Sequence, residues 1–128
     1  MKNLLIDTNI YSYALNGNAD VIKVLQRARK IAICAISIGE LLSGFKAGSK
    51  EEKNRAELEE FLDSPRLQLL NIDEDTAEFY AEIQNGLKKK GQPIPTNAIW
   101  ISATALQHGL KLYTNDQHFK YVPGLVLV

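Results

Sequence analysis

The chain has 128 residues, and its 15 lysine and arginine side chains balance 15 aspartate and glutamate side chains. This length predicts one domain, residues 1–128, and the charge balance excludes a strongly basic composition of the kind that flags nucleic-acid binders. A local basic face is still compatible with a net charge of zero. A single cysteine, Cys34, excludes an internal disulfide, and no stretch approaches the ~18 apolar residues of a membrane span. We therefore expect a soluble cytoplasmic protein that does not bind membranes.

Residues 2–10 contain a short apolar run that stops on the carboxylate of Asp7. Such a run predicts a buried strand that delivers an acid to the carboxyl edge of a sheet, where open α/β sheets bind their ligands. The alternative is that Asp7 only caps the helix predicted to follow, because aspartate is a favourable N-cap residue.

Residues 31–36 form a second apolar run without alternation, as expected for a strand that is covered on both faces. It leads into Ser37 and Glu40, which repeats the opening pattern of a buried strand followed by an acid near the start of a helix. The alternative is a capping box, in which the Glu40 side chain bonds back to the backbone N–H of Ser37.

Predicted strands and helices alternate along the rest of the chain as well. Helices are predicted from residue 18 or 20, from residue 49, from residue 73 or 75 to residue 90, and over 96–107. Strands are predicted over 66–71, 111–114 and 125–128. This alternation predicts an α/β fold with a parallel sheet and helices on both faces. The helix over 96–107 is poor in charge on every side, so it is expected in the middle of the domain.

Three apolar strands are thus followed by an acid: Asp7, Glu40 and Asp116. For Asp116 the alternative role is an Asx turn, and capping or turns explain each acid separately without predicting the repetition. The carboxyl ends of parallel strands lie on one edge of a sheet, so the three side chains can converge. Clustered carboxylates repel one another unless a cation is present, and oxygen ligands favour Mg²⁺ or Mn²⁺. The residues alone suggest a metal-dependent phosphoryl-transfer enzyme.

Four blocks of the sequence resemble the signature motifs of PIN-domain ribonucleases, most closely those of VapC toxins of bacterial type II toxin-antitoxin systems. The blocks are residues 5–9, 37–44, 95–103 and 114–119. They stand in the order and spacing of that family from end to end of the chain. The resemblance implies a PIN-like fold, a three-layer α/β/α arrangement with about five parallel strands, in a homodimer.

The resemblance also implies an endoribonuclease whose Mg²⁺ or Mn²⁺ site is built from four acids. Asp7, Glu40 and Asp116 match the first, second and fourth of these catalytic and metal-binding acids, and Asn9 and Thr114 match supporting positions. The implied reaction is hydrolysis of an RNA phosphodiester by a water activated at the cation. Glu40 would bind the cation through water or orient the nucleophile.

At the position of the third acid, this chain has Ala98. Loss of that carboxylate removes a metal ligand or a water-orienting group, which is expected to lower cation affinity and turnover. One hypothesis is that Ala98 is an inactivating change, since a toxic ribonuclease is hard to express in active form. The other is a naturally impaired member of the family that is retained as a binding protein.

For partners, the resemblance implies a VapB-type antitoxin that inserts a segment into the groove and presents a basic residue to the acids. An RNA substrate would need cations near the site, and we predict Lys46 and Lys120 because they follow Glu40 and Asp116 closely in sequence.

Two other protein classes fit the sequence less well, and one other function stays open. A phosphotransferase of the haloacid-dehalogenase type needs a second aspartate where Asn9 stands, and a receiver domain has no use for an acid at Glu40. A non-catalytic RNA- or antitoxin-binding module on the same fold stays open because of Ala98.

Overall fold

A computed structural model describes residues 3–128. Four strands are present in this part of the chain: β1 (Asn3–Ile6), β2 (Lys30–Cys34), β3 (Leu67–Leu70) and β4 (Lys111–Tyr113). They form one parallel sheet in the order β3-β2-β1-β4. Residues 1 and 2 lie outside the described residues. The predictions for them concern the start of the first apolar run and the start of the domain.

The sheet reverses its direction of winding between β1 and β4. From β1 the chain adds β2 and then β3 on one side, whereas β4 pairs with the other side of β1. A crevice opens at the carboxyl ends of the strands at such a switch point, and open α/β sheets bind ligands there. The ends of β1 and β4 are therefore the expected place for a site.

Six α-helices lie within residues 3–128, and together with the strands they give the predicted alternation. They are α1 (Thr8–Leu15), α2 (Ala19–Arg27), α3 (Ala35–Ala47), α4 (Glu51–Leu62), α5 (Glu74–Lys89) and α6 (Thr96–His108). A 3₁₀ helix, Gln117–Tyr121, follows β4. None of the helices in the described chain is both long and apolar enough to cross a bilayer.

Neighbouring side chains of β1 enter different cores, one on each face of the sheet. Leu5 belongs to a cluster with Leu87 of α5 and Ile99 of α6. Ile6 belongs to a second cluster, with Val21 of α2. Both faces of the sheet are therefore covered by helices, which confirms the predicted three-layer α/β/α fold and explains why the strands read as continuous apolar runs.

The predicted count of about five strands is not confirmed, since four strands form the sheet within residues 3–128. The segment 125–128, predicted as a strand at the sheet edge, forms a single parallel bridge between Leu127 and Leu112. The Leu112 N–H donates to Val126 O at 2.9 Å, and the Val128 N–H donates to Leu112 O at 2.9 Å. Only Leu112 of the three-residue strand β4 turns its backbone groups to the outer side, so the pairing cannot extend.

Helix α6 is the central helix that its apolar sequence predicts. Ile99, Ala103 and Ala105 are fully buried. Two hydroxyl side chains are buried with them, and each is satisfied within the helix: Ser102 donates to Ala98 O at 2.7 Å and Thr104 to Trp100 O at 2.9 Å. Back-bonding of this kind allows polar residues in a buried helix without other partners.

Tyr11 of α1 has a buried hydroxyl that lacks a hydrogen-bond partner within the described chain. Its ring packs edge-on against Phe61 of α4, with centroids 4.9 Å apart. Burial, and secondarily the negative charge of Glu57, raises the pKa of Tyr11 to about 12. The ring therefore stabilises the core while the hydroxyl costs free energy.

We expect Tyr11→Phe to leave the free energy of unfolding unchanged or to raise it by ~1 kcal/mol, because the unpaired hydroxyl is removed and the ring is kept. Between pH 10 and about 12, only the unfolded state of the parent protein loses the Tyr11 proton, so its stability falls as pH rises. The variant should lack this component of the loss. Urea denaturation at pH 8 and pH 11 measures both effects, with the exposed Tyr13→Phe as the control; a destabilised Tyr11→Phe would contradict the expectation.

Candidate active site

Asp7 follows β1 directly and is held at the switch point by the backbone. Its N–H donates to Tyr113 O at 3.2 Å, which continues the pairing of β1 with β4 by one residue. The side chain also caps α1, because Oδ1 accepts from the Ile10 N–H at 3.1 Å. Capping was the alternative role considered for Asp7, and it is compatible with a role in the site, since each carboxylate oxygen has two lone pairs.

Thr114 links the two strand ends. Its hydroxyl donates to Oδ2 of Asp7, and its oxygen accepts from the Asp116 N–H at 2.9 Å. Thr114 is buried, so this connection is shielded from competition by water. The supporting position predicted for Thr114 is therefore in direct contact with the first acid.

Asp116 lies at the start of the 3₁₀ helix, beyond β4. Its Oδ1 accepts from the His118 N–H at 2.9 Å, and His118 Nδ1 is also 2.9 Å from this oxygen. The hydrogen bonds to this side chain within the described residues reach only Oδ1. The Asx turn considered for Asp116 is thus formed with one oxygen, and Oδ2 is available to a ligand.

Glu40 enters the site from the second turn of α3. Its Oε1 accepts from the Thr8 hydroxyl at 2.6 Å, and its Oε2 accepts from the Asn97 amide at 3.2 Å. The capping box considered for Ser37 and Glu40 is wrong: α3 begins earlier, its N-cap is Cys34, and no side chain bonds to the cap. Glu40 therefore reaches across to α1 and α6 instead of back to its own helix.

Ala98 is the third residue of α6 and is buried, with 6% of its surface exposed. It lines the same cavity as Asp7, Glu40 and Asp116, which has a volume of about 220 Å³. The other residues of the wall include polar side chains (Thr8, Asn9, Asn97, His118) and apolar ones (Ile101, Phe119). The three predicted acids and Ala98, at the position that the resemblance gives to a third acid, thus converge on one cavity.

The charges in this cavity act on one another. Burial raises the pKa of Asp7 above its usual range, and the negative charges of Asp116 and Glu40 raise it further. The hydrogen bonds from Thr114 and from the Ile10 N–H act in the opposite direction. The ionised site is therefore electrostatically unfavourable without a cation, as expected for clustered carboxylates.

A family model described as the PIN domain matches residues 4–125. The chain belongs to the PIN-domain family. Ribonuclease VapC2 from Rickettsia felis is 32% identical, with 96% of this chain and 94% of that protein covered. The tRNA(fMet)-specific endonuclease VapC from Salmonella typhimurium is 27% identical, covering 98% and 96%.

The same relationship is seen among solved structures. A chain in the crystal structure of VapBC2 from Rickettsia felis, bound to a DNA fragment from its promoter, superposes with a TM-score of 0.88 at 30% identity. The match covers 98% of this PIN domain and 97% of that chain. The resemblance to VapC toxins of toxin-antitoxin systems is thereby confirmed, and with it the PIN-like fold.

The donor chemistry of this PIN domain fits a hard divalent cation. Asp7 and Asp116 offer carboxylate oxygens at adjacent strand ends, and Mg²⁺ is usually held by one or two carboxylates together with several waters. Within residues 3–128, however, no three acidic, histidine or cysteine side chains are arranged as a complete metal site. Ala98 is consistent with this, because it places a methyl group in the wall of the cavity where the resemblance implies a carboxylate.

The two predicted RNA-binding lysines lie outside this cavity. Lys46 is in the last turn of α3 and forms an exposed ion pair with Glu51, at 3.2 Å. Lys120 is in the 3₁₀ helix, with its ammonium group 5.4 Å from the ring centroid of Tyr121. Their contact with RNA stays a prediction.

Three polar residues of the cavity wall, Thr8, Asn97 and His118, were not among the predicted site residues. Each lies within two positions of a residue that was predicted. Their closeness in sequence to Asp7, Ala98 and Asp116 was the available signal, but polar residues near such positions are equally common at helix caps and turns. Their contacts with Glu40 and Asp116 became visible only in three dimensions.

We expect Thr114→Val to raise the pKa of Asp7 further, because the variant loses the hydroxyl that stabilises the charged carboxylate. Because the pKa of Asp7 in the folded protein lies above its usual value of 3.8, Asp7 contributes to stability below pH 3.8. This contribution is lost as the pH rises from 3.8 through the pKa of the folded protein. In the variant this loss should extend to higher pH. NMR titration of the Asp7 carboxyl carbon without divalent cations measures the pKa, and Thr96→Val is the control. An unchanged pKa would contradict the role of Thr114.

Proposed function

We propose that this VapC-type PIN domain is an endoribonuclease toxin that hydrolyses RNA phosphodiester bonds with Mg²⁺ or Mn²⁺, and that Ala98 impairs it. The observation that carries the proposal is the cavity at the switch point, where Asp7, Glu40 and Asp116 converge with Ala98. The ribonuclease and endonuclease names of the relatives support the same reaction class.

In this proposal Asp7 and Asp116 are the principal ligands of the cation. A divalent cation held there would offset the negative charge of the phosphodiester and make a water more acidic. Its positive charge would also offset the burial and, secondarily, the repulsion from Asp116 and Glu40 that raise the pKa of Asp7. Thr114 and His118 keep the two ligands oriented, because each donates a hydrogen bond to one of them.

Glu40 is the residue suited to act on the attacking water. It is exposed at the mouth of the cavity and carries a carboxylate whose two oxygens are already oriented by neutral donors. It would contribute to cation binding through a water or orient the attacking water and accept its proton. As the water oxygen bonds to phosphorus, the bond from phosphorus to the leaving ribose oxygen would break, and that oxygen would take up a proton from solvent. Asn9, which also lines the cavity, would support the cation or a water.

Position 98 explains why the activity of this form would be low. A carboxylate there would enter the cavity from the first turn of α6, where the helix dipole favours a negative charge. Alanine supplies neither a ligand nor a hydrogen-bond acceptor. We therefore propose weaker cation binding and slower hydrolysis in the present sequence.

The proposed partners are a VapB-type antitoxin and a second copy of the chain. Solved structures similar to this one include VapBC complexes, among them VapBC2 from Rickettsia felis. A basic antitoxin side chain placed at the acids would neutralise the same charges as the cation, so inhibition and cation binding would compete. The proposed compartment is the cytoplasm, where an RNA substrate is present.

A second candidate function is a non-catalytic RNA- or antitoxin-binding module. Ala98 favours it, because a cavity with one acid missing can still bind a basic segment. This candidate predicts binding without cleavage even when an acid is placed at position 98.

We expect Ala98→Asp to increase the rate of Mg²⁺- or Mn²⁺-dependent RNA cleavage by about 10- to 100-fold, because it restores a carboxylate to the cation site. Ala98→Asn is the matched control, since it introduces a side chain of the same size without the charge. Cleavage of total RNA with mapped cut sites is the measurement, and combining Ala98→Asp with Asp116→Asn should abolish the gain. Equal cleavage by the parent protein and the Ala98→Asp variant would show that position 98 does not matter, whereas binding without cleavage in both would favour the second candidate.

If Lys46 and Lys120 contact the RNA backbone, we expect Lys46→Ala and Lys120→Ala each to weaken RNA binding. Each should also reduce the slope of log affinity against log salt concentration by about 1, because one fewer counterion is released. Fluorescence anisotropy with a single-stranded RNA over a range of KCl concentrations measures the slope. Lys89→Ala, in the last turn of α5, is the control, and a residue whose replacement leaves the slope unchanged does not contact the backbone.

A further inference from the structure

Glu40 is held from two sides although its side chain is exposed. One carboxylate oxygen is bound by Thr8, the first residue of α1, and the other by Asn97, the second residue of α6. A carboxylate can only accept, so the Asn97 amide must present its NH₂ group to Glu40. Three helices that are distant in sequence are therefore tied to one carboxylate.

The Thr8 hydroxyl has a second neighbour. Its oxygen is 2.9 Å from Oγ of Ser37 and 2.6 Å from Oε1 of Glu40. A hydroxyl has one proton, and the Glu40 carboxylate cannot donate, so the Thr8 proton is committed to Glu40. The Ser37 hydroxyl must then donate to the Thr8 oxygen. The result is a directed chain of two hydroxyl groups that ends on the carboxylate.

Ser37 fits this role because it is fully buried, with 0% of its surface exposed. Its hydroxyl has no hydrogen-bond partner other than Thr8 within residues 3–128. A buried hydroxyl that donates to another hydroxyl strengthens the next hydrogen bond in the chain, since each bond polarises its neighbour. Ser37 lies one helical turn before Glu40 on α3, so the chain also fixes the carboxylate relative to its own helix.

We infer that Ser37, Thr8 and Asn97 are positioning residues that hold Glu40 in one conformation over the cavity. The free glutamate side chain has three rotatable bonds, and ordering it at the moment of cation or water binding would cost conformational entropy. The three residues meet this cost in the folded protein before any ligand binds. The inferred consequence for the cation rests on the proposed function, whereas the inferred order of Glu40 does not.

The first experiment therefore uses the protein without divalent cations. Side-chain three-bond couplings measured by NMR report the χ1 rotamer of Glu40. We expect a single rotamer in the parent protein and in Thr8→Ser, which keeps the hydroxyl, and rotamer averaging in Thr8→Val, which has the same shape without it. Thr96→Val, at the first position of α6, is the control. Averaging in the parent protein, or a single rotamer in Thr8→Val, would overturn the inference.

The second experiment measures Mn²⁺ affinity by calorimetry in the Ala98→Asp form. We expect Thr8→Val and Asn97→Ala each to weaken binding about tenfold, the range typical of residues that orient metal ligands, and Thr8→Ser to restore it. Ser37→Ala should weaken binding when Thr8 is present and have no effect when Thr8 is replaced by valine, because Ser37 acts only through Thr8. An equal effect of Ser37→Ala in both backgrounds would overturn the chain of hydroxyl groups.

The two experiments separate this inference from the proposed function. If the Ala98→Asp form binds no Mn²⁺, the proposed cation site fails, and the NMR couplings still decide whether Glu40 is held. If Mn²⁺ binds and Thr8→Val binds it as tightly as its parent, the cation site stands and the positioning role fails. The melting temperatures of all variants are measured to check that each of them is folded.

Discussion

The pairing of β4 with β1, on the side opposite to β2, is the constraint on which the site depends. It brings Asp7 and Thr114 together although they are 107 residues apart in sequence, and the N–H of Asp7 continues the ladder by bonding to Tyr113. Because the sheet reverses its winding here, a crevice is expected at the carboxyl ends of these two strands. A cavity lined by carboxylates can therefore open between α1, α3 and α6.

The buried charge of Asp7 and its repulsion by neighbouring acids lower the stability of the folded protein. Burial and two neighbouring acids raise the pKa of Asp7, so its charged form is less stable in the fold than in water. Among residues 3–128, the groups that donate to the Asp7 carboxylate and act against this are neutral: the Thr114 hydroxyl and the Ile10 N–H. Such an arrangement favours a cation or a basic partner side chain, which is the chemistry that a VapC enzyme and its antitoxin share in the proposed function.

Position 98 and Glu40 line the same cavity but differ in what they retain of a functional site. Ala98 leaves the cavity without one carboxylate, whereas Glu40 retains both of its hydrogen-bonded neighbours. The inferred hydroxyl chain from Ser37 through Thr8 would thus be intact in a site with an acid missing. This combination fits a single change at position 98 better than a gradual loss of the whole site.

Local patterns and the order of four motifs were enough to predict the alternation of strands and helices, the family, and the convergence of Asp7, Glu40 and Asp116 on one cavity. They could not decide between a capping box and a site contact for Glu40, since the same spacing of Ser37 and Glu40 suits both. Nor could they fix the strand count, because residues 125–128 are apolar enough for a strand but, within the part of the chain that the structure describes, pair only with Leu112. Those points depend on the folded chain, in which strand order and the start of α3 set which polar groups can meet.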